Sequence, residues 1–271
     1  MHLCLRLRPC RAGDCLPLLP AELPGAGIWP AHRLAAPASR PLPFLHVGSC
    51  LRDAAGTALL KVTGHIWLPS SAGPDARARD CPLLTALADI APDAAPERDA
   101  LCLTIGKEGH SLAWVTLSDK GSRGLREDLS GPAIRELTAA RLPLCHSQGF
   151  LLPDEPAPLR ALLTDLALRQ GYDLICTTGG TGLSPRDITP QVTAALLDMP
   201  LPGLSQAMMA SSLAKTPRAA VSRAVAGVLG QSIIINLPGS RKGALENLAA
   251  VLPALPHALD KLHGDPADCG G

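Results

Sequence analysis

A short apolar run that ends in a turn of glycines and threonines constrains the fold of this chain more than any other feature. The run 173–176 leads into the turn 177–182, and Thr189 and Pro190 then suit the cap and the first position of a helix. Glycines after a strand let backbone N–H groups approach an anion closely, and threonine hydroxyls add donors. The stretch therefore predicts a strand, a phosphate-sized cradle and a helix.

Two charged residues follow this turn. Arg186 adds positive charge, and Asp187 stands just before the predicted helix. A carboxylate in such a cationic setting suggests a metal ion that bridges it to bound phosphates. A tight strand-to-helix connection with ordinary capping residues would give the same pattern, and the turn is neither a GxxxxGK[ST] loop nor a GxGxxG fingerprint.

Downstream of Ser111, apolar runs alternate with segments of helical periodicity. Strands are predicted at 112–117, 144–152, 173–176 and 232–236, and helices follow them, the one after the glycine turn carrying Val192, Ala195, Leu196 and Met199. This alternation predicts an α/β domain over 111–264, with an open, largely parallel sheet and helices on both faces. Ligands bind beyond the carboxyl ends of such strands, where four polar clusters fall: Ser118-Asp119, Asp154-Glu155, 177–187 and 236–239.

The segment 1–110 differs in composition from the rest of the chain, being rich in proline, alanine and arginine. Its proline density prevents long helices and predicts an irregular or extended lead-in, with better order from Phe44 onward. Strands are expected at 57–68 and 100–105, and a short helix at 82–90. We expect a small β-rich module without recognisable chemistry at this end, and a flexible tail at 265–271.

Charge and composition exclude two classes of function. The formal net charge is +1, with three tryptophans, two phenylalanines and one tyrosine, so we expect no nucleic-acid binding through a basic face or stacked aromatic rings. No apolar run is long enough to span a bilayer, and charged residues interrupt the segment 1–15, where a signal peptide needs an apolar region. We therefore expect a cytoplasmic protein without membrane association.

The nine cysteines are odd in number, irregularly spaced and free of CxxC pairs. This pattern argues against a disulfide framework or a zinc site, so most of the cysteines are expected to be reduced thiols. Cys145 and Cys176 fall in apolar runs, where a thiol acts as a small buried hydrophobe.

A series of short motifs stands in one order along the second half of the chain: Leu117-Ser118-Asp119, Ser130-Gly131-Pro132, Pro153-Asp154-Glu155, Thr177-Thr178-Gly179-Gly180-Thr181-Gly182, Pro185-Arg186-Asp187-Ile188-Thr189-Pro190, Leu201-Pro202-Gly203, Ser222-Arg223 and Asn236-Leu237-Pro238-Gly239-Ser240. The order resembles that of the molybdopterin adenylyltransferase family, which includes bacterial Mog-type proteins and the G domains of gephyrin and the plant Cnx protein. The resemblance covers roughly 112–263 and leaves the segment 1–110 unassigned.

The resemblance implies Mg²⁺-dependent transfer of AMP from ATP to the phosphate of molybdopterin, which yields adenylyl-molybdopterin and pyrophosphate ahead of molybdate or tungstate insertion. It implies that Asp154 and Asp187 are catalytic and organise the Mg²⁺. On the same basis, the residues expected to bind molybdopterin or ATP are Ser118, Asp119, Thr177, Thr178, Gly179, Gly180, Thr181, Gly182, Arg186, Ser222, Asn236, Pro238 and Gly239. Ordinary turn and helix-cap roles would also account for Asp154, Asp187 and Ser222.

Two other functions stay open at this point. The chain could be a non-catalytic protein that holds molybdopterin or its adenylate and delivers it, or a related pterin-binding domain that acts on a different nucleotide. Retention of Asp154 and Asp187 favours the enzyme, because storage alone does not require a metal at the α-phosphate. The resemblance also implies a homotrimer and handover to a metal-insertion protein. The segment 204–209 departs from the family pattern, where many relatives carry an acidic residue and an arginine.

Overall fold

The computed structural model describes residues 2–7, 9–19, 35–37, 44–69, 77–90 and 101–264. The chain divides into two compact units, Met1–Glu108 and Gly109–Gly271, called unit 1 and unit 2 below. The tail at 265–271 and much of the proline-rich lead-in lie outside the described residues. Within the described ranges, no helix has both the length and the apolar character needed to cross a membrane.

The described part of unit 1 is built from β-strands. All of the strand pairs are antiparallel, and the spatial order of the sheet is β2-β6-β5-β4-β7-β1-β3. The strands are β1 (His2–Leu7), β2 (Cys15–Pro17), β3 (Ala35–Pro37), β4 (Cys50–Arg52), β5 (Ala58–Pro69), β6 (Ala78–Ala86) and β7 (Leu101–Gly106). The predicted β-rich character of this end of the chain is confirmed.

Two local predictions for unit 1 were wrong. Order begins before Phe44, because β1 and β2 are already members of the sheet. The helix predicted at 82–90 is absent, since most of that stretch lies in β6, which pairs with β5 on one side and β2 on the other. Leu84 and Ala86 are buried at alternate positions of β6. Pairing on both edges of a strand outweighs the helical preference of a short leucine-containing segment.

The cysteine prediction also needs correction at one pair. Cys4 of β1 and Cys102 of β7 are directly opposite each other and form a disulfide across 98 residues of sequence. Six of the described cysteines are free thiols, at positions 10, 15, 50, 81, 145 and 176. Of the two thiols expected to be buried, Cys145 is only half-buried, whereas Cys176 is fully buried, and burial raises the pKa of the Cys176 thiol to about 12. An odd count and irregular spacing could not reveal a pair that only strand pairing brings together.

Unit 2 alternates strands and helices. Its strands are β8 (His110–Leu117), β9 (Leu144–Leu152), β10 (Leu174–Thr178), β11 (Met199–Pro200), β12 (Ala226–Leu229) and β13 (Ser232–Leu237). Its α-helices are α1 (Asp119–Ser122), α2 (Ser130–Ala139), α3 (Pro156–Thr164), α4 (Thr189–Ala194), α5 (Pro202–Leu213), α6 (Arg241–Val251) and α7 (Leu255–Leu262). A π-helical turn, Asp165–Gln170, extends α3, and 3₁₀ turns occupy Pro217–Val221 and Leu252–Ala254.

The sheet of unit 2 has the order β11-β12-β13-β10-β8-β9. The four strands β13, β10, β8 and β9 are parallel, and β12 and β11 add an antiparallel margin beside β13. The predicted open, largely parallel sheet is therefore confirmed. The β12 strand was not predicted, because 226–229 is a short apolar stretch directly before the longer run of β13.

Helices cover both faces of this sheet, as predicted. Cys176 and Ile235 point to a core shared with Met208 of α5, Leu248 of α6 and Leu259 of α7. Side chains alternate along a strand, so the neighbouring residues point to the opposite face. There the Nδ2 of Asn236 donates hydrogen bonds to the hydroxyls of Thr177 and of Thr193 in α4, at 2.9 and 3.0 Å.

The helix after the glycine turn differs from its prediction in two respects. It ends at Ala194, and Met199 lies in β11. Thr189 is not a capping residue; it lies inside the first turn, and its hydroxyl donates to the carbonyl of Gly179 at 2.9 Å. The threonine therefore fastens the helix to the glycine turn.

Trp114 of β8 is held between two glycines. A Cβ on Gly131 of α2 would overlap the indole Nε1, and a Cβ on Gly149 of β9 would overlap the indole Cε2. Each added Cβ would lie much closer to the rigid indole ring than van der Waals contact allows. The missing side chains thus allow the indole to pack directly against α2 and β9.

We expect Gly149→Ala to lower the free energy of unfolding by about 1 to 2 kcal/mol, because the indole or the strand must shift to admit a methyl group. Urea denaturation followed by circular dichroism measures this change as a lower midpoint with an unchanged slope. Gly203→Ala is the matched control, since a Cβ at Gly203 of α5 meets nothing within 4 Å. Equal stability of the two variants would show that the packing around Trp114 is loose.

Candidate active site

Four loops meet at the carboxyl ends of the parallel strands. The backbone N–H of Ser118, after β8, donates to the carbonyl of Leu152 at the end of β9, at 2.9 Å. After β10, the Thr178 hydroxyl donates to the carbonyl of Pro238, which follows β13, at 2.8 Å. The four polar clusters predicted from the sequence therefore lie along one edge of the sheet.

The two central glycines of the turn, Gly179 and Gly180, have no room for a side chain. Gly179 has φ +105°, and a Cβ there would lie 2.5 Å from the carbonyl oxygen of Leu117. Gly180 has φ +63°, and its Cβ would lie 2.5 Å from the hydroxyl of Thr189. Only glycine satisfies both the backbone conformation and the space at these positions. The turn consequently packs directly against the end of β8 and the start of α4, with no side chain between them.

A cavity of about 330 Å³ opens beside this turn and is called the first cavity. Among the predicted site residues, it is lined by Ser118, Asp154, Thr178, Gly179, Gly180, Arg186, Asp187 and Gly239. Its opposite wall belongs to the loop before α2 and includes Arg126 and Asp128, and Arg241 of α6 also lines it. Carboxylates, guanidinium groups and main-chain amides therefore share one small volume.

Asp119, which follows β8, and Asp154, which follows β9, are joined by two reciprocal hydrogen bonds. The Asp119 N–H donates to Oδ2 of Asp154 at 3.2 Å, and the Asp154 N–H donates to Oδ1 of Asp119 at 3.1 Å. The guanidinium of Arg186 donates from Nη2 to both carboxylate oxygens of Asp119, at 2.6 Å each. The exposed Arg186 is thus connected through Asp119 to the half-buried Asp154.

This arrangement shifts the pKa values of Asp154 and Asp119 in opposite directions. Burial raises the pKa of Asp154, assisted by the charges of Asp119 and Asp187 and opposed by the Asp119 amide and Arg186. The hydrogen bond from Arg186 lowers the pKa of Asp119, and the pairing raises the pKa of Arg186 itself. Asp154 therefore takes up a proton at a higher pH than Asp119 does.

We expect the carboxyl carbon of Asp154 to titrate above the ordinary aspartate pKa, and that of Asp119 below it. Arg186→Gln removes a positive charge that favours both carboxylates, so it should raise both pKa values. Carboxyl-detected NMR titration measures each group directly and does not depend on catalysis. A variant in which the pKa of Asp119 stays as low as in the parent protein would contradict the pairing with Arg186.

Asp187 lies beside the glycine turn, and two hydrogen bonds to Ser184 close the short loop 184–187. Its Oδ2 accepts from the N–H of Ser184 at 2.8 Å, while its own N–H donates to the Ser184 carbonyl at 2.8 Å. A Cβ on Gly182 would lie 2.9 Å from Oδ2 of Asp187, and one on Gly180 would lie 3.5 Å from Oδ1 of Asp154. Bare main chain therefore runs beside both carboxylates.

These residues fit a magnesium ion that is shared with a phosphate ligand. Within the described part of the chain, no group of three or more His, Cys, Asp or Glu side chains is placed to hold a metal alone. Mg²⁺ in nucleotide sites is held by one or two carboxylates together with phosphate oxygens and water, so Asp154 and Asp187 would be the residues to hold such an ion.

A second cavity of about 280 Å³ borders the later part of the turn. Thr181, Gly182, Ser222 and Pro238 line it, together with an apolar wall that includes Met208 and Met209 of α5. Pro238 and Ser240 line the second cavity, whereas Gly239 between them lines the first. The predicted binding residues are therefore divided between two neighbouring volumes.

Three predicted binding residues line neither cavity: Asp119, which bonds to Asp154 and Arg186, and the pair Thr177 and Asn236. Thr177 and Asn236 are fully buried beneath the turn, and neither is among the described residues that line the two cavities. The Asn236 amide links β13, β10 and α4 through its bonds to Thr177 and Thr193. These two side chains thus support the edge of the sheet from below instead of facing either cavity.

Some residues at this edge of the sheet were not predicted from the sequence. Asp128 lines the first cavity, accepts from the N–H groups of Ser130 and Gly131 at the start of α2, and accepts from the hydroxyl of Thr116. An aspartate before the start of a helix is typical of a helix cap, so the sequence gives no sign that Asp128 also lines a cavity. Arg126 and Arg241, which also line the first cavity, were not predicted either, nor was Arg223 beside the predicted Ser222.

Unit 2 combines a largely parallel sheet with a glycine turn and carboxylates at the carboxyl ends of its strands. This combination is typical of domains that bind nucleotides or cofactors. Residues 113–257 match the family described as "Probable molybdopterin binding domain". The match includes more than half of the chain, and the chain belongs to this family. The resemblance drawn from the motifs is confirmed, and the part of the chain that precedes Ala113 lies outside the match.

Individual relatives agree with this assignment. The molybdopterin adenylyltransferase of Helicobacter pylori is 40% identical over 156 residues, which are 57% of this chain and 88% of that protein. Gephyrin of Dictyostelium discoideum is 38% identical over 161 residues, 56% of this chain but only 22% of gephyrin. The crystal structure of the molybdopterin biosynthesis enzyme MoaB from Thermus thermophilus is 50% identical, with a TM-score of 0.54, and covers 59% of this chain and 99% of that one.

Proposed function

We propose that unit 2 acts in molybdenum cofactor biosynthesis by transferring AMP from ATP to the phosphate of molybdopterin. The observation that carries the proposal is the pair of cavities lined by successive parts of one glycine turn, with Asp154 and Asp187 lining the first. Two adjoining cavities suit a reaction between two substrates. Relatives named molybdopterin adenylyltransferase support the same reaction.

The reaction joins two anions. An oxygen of the molybdopterin phosphate attacks the α-phosphorus of ATP, the bond from that phosphorus to the bridging oxygen of the β-phosphate breaks, and pyrophosphate leaves. Repulsion between the substrates opposes this approach, so the site must neutralise charge and fix the two groups in line. The substrates supply the nucleophile and the leaving group, and no covalent bond to the protein is required.

Several groups of the first cavity can perform these tasks. The Gly179 N–H is already used, since it donates to the carbonyl of Leu237 at 3.3 Å, but the main-chain N–H groups that follow it, from Gly180 onward, can donate to phosphate oxygens. Arg186 and Arg241 supply positive charge at the cavity. Asp154 and Asp187 would hold Mg²⁺, which when bound neutralises phosphate charge and orients the α-phosphate. Asp119 contributes by holding Arg186 and Asp154 in place.

The direct test is incubation of the full chain with ATP, Mg²⁺ and molybdopterin. We expect adenylyl-molybdopterin and pyrophosphate in equal amounts, detected by mass spectrometry and a coupled pyrophosphate assay. Omission of Mg²⁺ should abolish the product. Tight binding of molybdopterin with no product under these conditions would reject the enzyme and favour a binding and delivery protein.

A further inference from the structure

One arginine makes three hydrogen bonds to the loop that carries Asp187. The backbone N–H of Arg223 donates to the carbonyl of Thr181 at 3.1 Å. Its side chain donates from Nε to the carbonyl of Gly182 at 2.8 Å and from Nη2 to the carbonyl of Asp187 at 2.6 Å. The two side-chain acceptors are the two ends of the segment 182–187, so a single planar group spans the loop.

The loop between these ends is open to solvent. Leu183, Ser184, Pro185 and Arg186 are exposed, and Leu183 is 68% exposed. Within the loop, the Ser184 amide is paired with the Asp187 carboxylate, and the Asp187 amide is paired with the Ser184 carbonyl. The direction of that carboxylate therefore depends on the conformation of the loop, whose two ends are joined by Arg223.

Arg223 is placed to act on the protein main chain and not on a ligand. Its side chain is half-buried, and it is not among the described residues that line either cavity. Its two side-chain bonds leave from different nitrogens of one rigid plane. A lysine would keep the charge but could not make both bonds in this geometry.

We propose that Arg223 is a positioning residue, which fixes the Asp187 carboxylate toward the first cavity by clamping the ends of the 182–187 loop. The proposal rests on the proposed function for the role of Asp187. It does not rest on that function for the clamp itself, because the three hydrogen bonds exist without any substrate.

The clamp is tested by hydrogen exchange without substrates. In Arg223→Lys, the amides of Ser184 and Asp187 should exchange at least about tenfold faster than in the parent protein, because opening of the loop no longer breaks two bonds. Amides of β10 should be unaffected. Arg160→Lys, at an exposed position of α3, is the matched control and should leave the loop amides unchanged. Unchanged exchange of Ser184 and Asp187 in Arg223→Lys would overturn the clamp.

The consequence for the reaction is tested by kinetics of the same variants. We expect Arg223→Lys to lower kcat by about tenfold to a hundredfold, with KM for molybdopterin changed less than twofold, as for a misplaced reacting group. Guanidinium chloride at millimolar concentration should restore part of kcat in Arg223→Ala and none in Asp187→Asn. Full activity of Arg223→Lys would overturn the positioning role. Absence of product from the parent protein would instead reject the proposed function, while hydrogen exchange would still decide on the clamp.

Discussion

Asp187→Asn is expected to lower the rate of AMP transfer by at least about a hundredfold, since it removes one of two carboxylates available to Mg²⁺. Asparagine has nearly the same shape, and its amide oxygen can still accept from the Ser184 N–H, so the loop should keep its conformation. The rate under saturating ATP and molybdopterin is the measurement. Asp260→Asn, at an exposed position of α7, is the matched control and should have parental activity.

The same variant separates binding from chemistry. Asp187→Asn should bind molybdopterin with nearly parental affinity, because the loss concerns the metal and the α-phosphate. Isothermal titration measures this affinity without turnover. Parental activity in Asp187→Asn would show that the aspartate is only a loop residue, and loss of molybdopterin binding would place it in the pterin site instead.

The largest effect on stability is expected from Gly179→Ala, which should lower the free energy of unfolding of unit 2 by at least about 3 kcal/mol. An alanine at φ +105° is strained, and its Cβ would lie 2.5 Å from a backbone oxygen that cannot rotate away. Thermal and urea denaturation both measure the loss.

Gly124→Ala distinguishes the two causes of this destabilisation. Gly124 has φ +71°, but a Cβ there meets nothing within 4 Å. It should therefore show the cost of a left-handed backbone alone, about 1 kcal/mol. If Gly179→Ala were no more destabilising than Gly124→Ala, then the approach of the turn to β8 would contribute nothing to stability.

Much of unit 2 could be predicted because its local signals agree with its tertiary structure. The run at 232–236 is apolar and ends before Pro238 and Gly239, and the stretch 144–152 lies between Pro143 and Pro153; they form β13 and β9. A parallel sheet then brings the residues that follow each strand to one edge. The meeting of Ser118, Asp154 and the glycine turn required only this step.

The direction of individual side chains could not be predicted in the same way. Thr177 and Thr178 are adjacent and both buried at the end of β10, but only Thr178 lines the first cavity, because side chains alternate along the strand. The pairing of Arg186 with Asp119 joins residues 67 apart, and no spacing rule indicates it. In unit 1, the pairing of 78–86 with two other strands depends on the sheet as a whole.

The segment Pro238-Gly239-Ser240 has a practical consequence for anyone who wishes to alter this protein. Because its outer residues border one cavity and its central residue borders the other, the wall between the two compartments is a single chain thick. A methyl group on Gly239 would also press against Gly179 at 3.2 Å. A substitution or shift in this segment that is meant for one compartment therefore also changes the border of the other.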